Sequence, residues 1–498
     1  MTAFRNPLVV PYRFERSVSV AEAKDSLERE ISVAGRLVAL RRHGGIVFGD
    51  LRDASGDIQV LFRAEDTASF ELLNEVTLGS WIGAAGRVTT SQSGETTIAA
   101  TSWQLLARCR TGWVDGRRGL VDPETRLRRR WIDLWADPAA LRRFQRRSRI
   151  ISSIRRYFEE LGFIEVETPI LHTLPGGASA RPFVTHHNAL DANLYLRIAP
   201  ELYLKRCVAG GLERVFEIGR VFRNEGISPR HNPEFTMLEA YAAYADLGDM
   251  MTITEELVAA LAVELHGSTC IKADGRTLDL TPPWPRRPML DLVNDAIGQD
   301  LNLGDAVSLA AACREAGVQP EPGWGAGRMV SELYEALCEG HIEGPVFVVD
   351  YPVEISPLAR AHRNKPGFAE RFEAIVNGSE LANAFTELVD PDDQRERFLA
   401  QAALRASGDA DAMPLDEDYL EALRFGLPPT GGLGIGIDRL VMLLTGAKSI
   451  RDVVLFPTLK QRPTALPEPK TAAEADEAHE EPRSIRAGTD FPPQVSSS

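Results

Sequence analysis

Apolar and polar residues alternate with a period of two from Ile31 to Val38, in the order Ile-Ser-Val-Ala-Gly-Arg-Leu-Val. A turn-forming run, Asp53-Ala-Ser-Gly-Asp, follows, and Ile58-Gln-Val-Leu-Phe resumes as a strand. Carried on to about Leu106, the pattern predicts five or so short strands, which suits a small barrel such as the oligonucleotide-binding fold. Arg36, Phe48 and Gln59 fall within it as candidate RNA contacts; a core aromatic and a surface amide are the alternatives for the last two. Residues 1–30 carry little pattern and read as an arm. Residues 109–140, rich in arginine, read as a hinge. The period then lengthens. Ile150, Ile154, Tyr157, Phe158 and Leu161 share one helical face, which Gly162 ends. Phe163-Ile-Glu-Val-Glu-Thr predicts a strand stopped by Pro169, at the start of a large domain spanning 141–459. Within it, residues from about 245 to 345 are richer in helical pattern and poor in chemical groups, as an insertion would be. Residues 460–498, rich in Pro, Ala and Glu without periodicity, are expected to be disordered.

Composition changes this picture little. A chain of 498 residues, 44% hydrophobic and 26% charged, is ordinary for two or three globular domains. No apolar run reaches the roughly 18 residues of a membrane span. The start, Met1 to Pro11, lacks the basic-then-apolar pattern of a secretory signal. Five scattered cysteines, with no Cys-x-x-Cys pair, argue against a disulfide framework or a zinc site. The expectation is a cytoplasmic protein with no membrane segment.

Charge changes it more. The net value of −15 argues against a nucleic-acid partner, but thirteen arginines between Arg108 and Arg149 concentrate positive charge locally. A patch of one sign, rather than the sum, sets the field a polyanion meets. The competing reading is an arginine face neutralised by nearby acids.

Three stretches carry candidate chemistry. From Arg214 to Tyr244, two β-patterned runs flank a loop holding Gly and Pro, which predicts a long hairpin. In its second strand Phe235, Met237, Glu239 and Tyr241 share a face. Arg223 ends the first strand, where its fork suits a phosphate or carboxylate. The second stretch, from Arg371 to Leu388, holds Glu373 and Glu380, able to bind Mg²⁺ with nucleotide phosphates completing its shell. Alternation puts Asn383, Phe385 and Glu387 opposite Glu380, so a shared pocket requires a turn or bulge between 380 and 383. In the third, Gly432, Gly434 and Gly436 give a strand one bare face for a flat nucleotide, while Leu433, Ile435 and Ile437 point inward. Asp438 is expected to cap the next helix and Arg439 to emerge at its first turn. No Gly-x-x-x-x-Gly-Lys-Ser/Thr phosphate loop occurs.

In order, these segments resemble the signature motifs of class II aminoacyl-tRNA synthetases, specifically the bacterial-type lysyl-tRNA synthetases. Gly162 to Pro169 looks like motif 1. Phe222-Arg-Asn-Glu-Gly-Ile-Ser-Pro-Arg-His-Asn-Pro-Glu-Phe-Thr-Met-Leu-Glu is similar to motif 2 in its lysine-specific wording, and Gly432-Leu-Gly-Ile-Gly-Ile-Asp-Arg to motif 3. Pro175-Gly-Gly-Ala-Ser-Ala-Arg-Pro-Phe and Leu196-Arg-Ile-Ala-Pro-Glu-Leu-Tyr-Leu-Lys-Arg also match. The resemblance implies an α+β chain: an OB-fold anticodon-binding barrel over 31–108, then a catalytic domain with a mainly antiparallel sheet flanked by helices. It implies a lysine–tRNA ligase that makes lysyl-adenylate from L-lysine and ATP with Mg²⁺, charges tRNA(Lys), and forms a homodimer through motif 1.

By the same resemblance Arg223 would hold the α-phosphate and the amino-acid carboxylate, and Phe235 and Arg439 would sandwich adenine. Arg223 and Arg439 are thus the catalytic candidates. Glu225 and His231 would contact ATP, and Glu373 and Glu380 would ligate Mg²⁺. Glu201 and Glu239 would bind the α-amino group, and Tyr241 and Glu387 the ε-ammonium, with Asn383 and Phe385 lining the pocket. The sequence departs from the family at Gly44-Gly45 before the strand aromatic and in the hinge, Arg110 to Leu120. Two rivals remain: a relative that delivers lysyl-adenylate to another acceptor, and a non-catalytic RNA-binding regulator.

Overall fold

The computed structural model describes residues 6–91, 94–110, 120, 122–273, 275–409 and 411–460. The tail expected to be disordered from 461 onward lies outside the described residues, as do Arg117 and Arg118 of the hinge.

Strands Glu30–His43, Ile46–Arg52, Asp57–Arg63, Trp81–Thr90 and Thr96–Ala107 close into a barrel. All neighbours are antiparallel except Asp57–Arg63 with Thr96–Ala107, which run parallel. Inward residues such as Val33, Leu51, Val60, Ile82 and Ile98 are fully or nearly fully buried, as the period of two requires. The described part of the arm is more ordered than its sequence suggests. Ser19 and Glu22 form a capping box that starts the helix Val20–Lys24. The carbonyls of Pro7 and Val9 accept from Gln104 Nε2, and Phe14 lies where a side chain on residue 83 would project, which is why that position is glycine.

Within the stretch read as a hinge, helices Pro123–Arg128 and Arg130–Ala136 form, and Pro138–Glu160 begins. Arg130 is buried; its guanidinium reaches Asp133 at 2.7 Å and the carbonyls of Arg451 and Leu455 at 2.7 and 3.0 Å. Most of the stretch's arginine charge near this point is spent internally. Arg126 pairs with Asp133 and Asp137, Arg128 with Glu124, Arg147 with Asp438 and Arg149 with Glu264, so the neutralised-face reading holds for these residues.

The second sheet has eight strands in the spatial order Arg286–Pro288, Val346–Pro352, Phe368–Ile375, Glu380–Thr386, Thr430–Gly436, Glu234–Ala243, Arg214–Phe222 and Ile164–Glu165. Only the outermost pair at each edge is parallel. Phe216, Leu238, Phe372, Leu433 and Ile435 pack one face against helices Pro138–Glu160, Leu247–His266 and Ile437–Thr445. This is the largest core, and it leaves the other face of the central strands for chemistry. The stretch expected as a helical insertion also contains short strands, Cys270–Ala273, Arg276–Asp279 and Arg286–Pro288. Its first helix, Leu247–His266, belongs to this core through Met250, Leu257 and Leu261.

Candidate active site

The free face of the eight-stranded sheet floors a cavity of about 500 Å³. The hairpin forms as its pattern predicts: Arg214–Phe222 pairs with Glu234–Ala243 in unbroken register, and Phe235, Met237, Glu239 and Tyr241 all reach the cavity. Arg223 follows the first strand; its N–H donates to Pro233 O at 2.8 Å, and its guanidinium lies 5.3 Å over the Phe235 ring. Glu225 and His231 line the cavity from the hairpin loop, with His231 Nδ1 2.9 Å from Ser228 Oγ.

The bulge that alternation required is present. Opposite Ala374 and Ile375 stand Ala382 and Glu380, so Leu381 is the extra residue. The kink turns Glu380 to the side already occupied by Asn383, Phe385 and Glu387, and all four line the cavity. On the neighbouring strand, Gly432, Gly434 and Gly436 present the expected bare face while Leu433 and Ile435 are buried in the core.

One expectation fails. Asp438 does not cap the helix Ile437–Thr445, whose N-cap is Gly436. The strand runs into the helix two residues earlier than a capping role needs, so Asp438 falls within the first turn. Its carboxylate instead takes Arg147 at 2.5 Å and the Thr236 backbone N–H at 2.7 Å, fastening the helix to the strand that carries Phe235. Arg439 does emerge from that turn, donating to the carbonyl and the carboxylate of Glu380 at 2.7 and 3.0 Å.

At one end of the cavity Glu201, Glu239 and Glu387 are each at most 5% exposed. Tyr241 donates its hydroxyl to Glu239 at 2.9 Å. Glu387 Oε1 is buried without a hydrogen-bond partner. Burial, reinforced by the neighbouring Glu201, pushes Glu239 up to about 8. Glu387 is also pushed up to about 8, by burial that the ion pair with Lys205 only partly offsets. Toward the other end stand Glu373 and Glu380. Burial and the charge of Glu380 push Glu373 up to about 7. For Glu380 burial acts the same way, but Arg439, with Arg223 and Arg371, outweighs it and holds the group below the ordinary carboxylate value. Two carboxylates at the edge of a nucleotide-sized cavity suit a hard cation whose remaining positions are filled by phosphate oxygens and water.

The cavity thus gathers all thirteen residues expected of an amino-acid and nucleotide site, from Glu201 to Arg439. The three barrel residues are apart from it. Phe48 stands on Ile46–Arg52, paired with Arg41 and Leu61. Gln59 is buried, its amide donating to Glu95 and accepting from Thr97. Arg36 lies against two indoles that also touch each other, 4.8 Å from the Trp81 ring and 4.9 Å from that of Trp135, and donates to Gly79 O. That is a joint between barrel and helix.

Sequence reasoning missed several residues in the cavity wall or behind it. Lys205 stands behind the glutamates, and the only signal for it was its place four residues after Glu201 on one helix. Arg371 is a hub, bonding Glu373 at 2.7 Å and Ile355 O at 3.0 Å and lying over the Tyr351 ring. The stretch expected to be poor in chemical groups contributes Arg328, Glu335 and Glu339 to the wall.

The sequence model of the tRNA synthetases class II (D, K and N) matches residues 122–460, and that of an OB-fold nucleic acid binding domain matches residues 31–106. A lysine–tRNA ligase of Syntrophomonas wolfei is 49% identical over 459 residues, covering 90% of this chain and 93% of that protein. Those of Moorella thermoacetica and Carboxydothermus hydrogenoformans are 48% and 47% identical, over 90% and 93% of this chain and 92% and 96% of their own.

Proposed function

Because this chain belongs to the class II tRNA synthetases of the D, K and N group, and is an ATP-dependent ligase that joins L-lysine to tRNA, we propose that its cavity divides into a lysine seat and an ATP site. The lysine α-ammonium lies against Glu201 and Glu239, and the ε-ammonium against Glu387 Oε1 and Tyr241, with Asn383 and Phe385 as walls. Arg223 takes the lysine carboxylate and the α-phosphate. Adenine lies between Phe235 and Arg439, with Glu225 and His231 at the nucleotide's edge. Glu373 and Glu380 hold Mg²⁺, which when bound offsets charge on the phosphates.

The observation that carries this reading is the orphaned acceptor at the base of the seat. An isolated buried carboxylate oxygen is costly, and a primary ammonium brings both the charge and the proton it lacks. With both substrates placed, the lysine carboxylate attacks the α-phosphorus in line and pyrophosphate leaves. Arg223 offsets the charge that develops, so catalysis is positioning and electrostatics without a covalent enzyme intermediate. The terminal hydroxyl of tRNA then takes the lysyl group.

The barrel over 31–108 is the anticodon module in this reading, and 141–459 the catalytic one. No helix among the described residues is long and apolar enough to cross a membrane. Ile164 in motif 1 and Ile170, Leu171 and Leu174 just after it are each more than 40% exposed, which supports a homodimer built there; the reading is of a cytoplasmic enzyme. The test is ATP–pyrophosphate exchange across all twenty amino acids, repeated with Glu387→Gln. Lysine alone should drive exchange, and the variant should lose about 10–150-fold in lysine-dependent kcat/KM, the worth of one charge-assisted hydrogen bond. An unchanged kcat/KM would put the ε-ammonium elsewhere.

A further inference from the structure

Behind the lysine seat, the chain supplies an ammonium of its own. Lys205 is the only buried lysine among the described residues. Its Nζ lies 2.6 Å from Glu201 Oε1, forms an ion pair with Glu387 Oε2, and stands 5.9 Å from the centre of the Tyr241 ring. The helix Glu201–Ala209 puts Glu201 and Lys205 one turn apart on the same face, which docks on the Glu234–Ala243 strand. Glu387 arrives from the end of another strand. An ion pair assembled from separate segments in a dry site costs desolvation of every member, so stability alone gives little reason to keep it.

The charge count gives one. The seat contains three carboxylates, Glu201, Glu239 and Glu387, and one cation, Lys205. Two negative charges are left over, and lysine brings two ammonium groups; its carboxylate is matched separately by Arg223. We propose that Lys205 is a positioning residue for lysine recognition, a fixed counter-ion that trims the seat's charge to the two ammoniums of its substrate and holds Glu387 with Oε1 facing the ligand. The inference rests on the lysine seat proposed above. Burial opposes the charge on Lys205, but Glu201 and Glu387 together hold it well above the ordinary lysine range, so it stays an ammonium. The two carboxylates it leaves in excess match the two pushed up toward neutrality in the empty seat, Glu239 and Glu387.

Charge matching makes a prediction that a merely structural lysine does not. Lys205→Met leaves three buried carboxylates with no cation, whereas Lys205→Met/Glu201→Gln restores a surplus of two. Purified full-length variants are compared by melting temperature and by ATP–pyrophosphate exchange with lysine and with ATP varied in turn. Glu201→Gln alone should raise the KM for lysine. Lys205→Met should raise it at least tenfold while leaving the KM for ATP within about twofold. In the Lys205→Met background the effect of Glu201→Gln should reverse sign, lowering the KM for lysine at least threefold and raising the melting temperature. Losses that simply add would overturn the proposal. So would a double variant that melts no higher than Lys205→Met, which decides the matter even where the single variant folds too poorly for kinetics. Glu387→Gln separates the two levels. If it leaves lysine use unchanged, the seat itself is wrong; if it is damaging but the Lys205 cycle is additive, only the counter-ion role falls.

Discussion

Gly432→Ala is the smallest change that should disable lysine recognition while sparing ATP. The backbone at 432 does not need a glycine for its own conformation; the neighbours do. A methyl built there would collide with Glu387 Oε1 and stand 2.5 Å from Tyr241 Cε1. To regain an ordinary contact of about 3.5 Å, the ring must recede by about 1 Å and the carboxylate further. Neither has room. Tyr241 and Glu387 are 3% and 1% exposed, and Glu387 is tied to Lys205 on its other oxygen. The expected price is about 1–3 kcal/mol of overpacking strain, read as a lowered melting temperature. Displacing Oε1 also removes a charge-assisted bond to the ε-ammonium worth about 1.5–3 kcal/mol, or about 10–150-fold in kcat/KM for lysine in pyrophosphate exchange. The KM for ATP should stay within about twofold, because Phe235 and Arg439 are not in the collision. Gly434→Ala is the folding control: its methyl meets nothing closer than Asn383 O at 3.7 Å, so the melting temperature should hold. A Gly432→Ala enzyme within about threefold of the parent in lysine kcat/KM would refute the placement of the ε-ammonium beside Glu387 Oε1.

Other outcomes follow from the same geometry. Arg130→Met leaves Asp133 with Arg126 but strips three carbonyl contacts of their donor, so destabilisation should sit near the low end of a broken buried pair, about 3 kcal/mol, seen as a melting temperature several degrees lower with lysine KM unchanged. Glu239 and Glu387 have folded values of about 8, above the ordinary 4.5, so the stability they contribute is complete below about pH 4.5 and is lost as pH rises through about 8. Lysine offsets those charges, so its stabilising effect on the melting temperature should grow between pH 6 and pH 8; a flat increment across that range would contradict the assignment.

How much of this was readable beforehand depends on range. The alternation of Phe235, Met237, Glu239 and Tyr241, and the bare side of Gly432, Gly434 and Gly436, are properties of single strands, so period two sufficed to place them. Even the irregularity at Leu381 was legible, since a pocket shared by Glu380 and Asn383 required a turn or a bulge between them. Asp438 was misread because capping depends on where a strand hands over to a helix, a boundary that local pattern fixes only to within a residue or two. Lys205 was overlooked because Leu-Tyr-Leu-Lys-Arg reads as an amphipathic turn with its charges in water. Its burial is decided by Glu387, 182 positions further along the chain (387 minus 205). The stacking of Arg36 on Trp135 is likewise a contact between distant segments that no window of sequence contains.

The cluster of Trp81, Arg36 and Trp135, together with Arg130 clasped by the carbonyls of Arg451 and Leu455, has a consequence for a long, stiff RNA that must touch both ends of the enzyme. These side chains act as a ruler. On the proposed function they set the gap between the barrel, which would meet one tip of the tRNA, and the cavity, which would receive the other. Loosening the ruler would leave lysine activation at full speed while the delivery of lysine to tRNA slows, a fault lodged in neither contact surface.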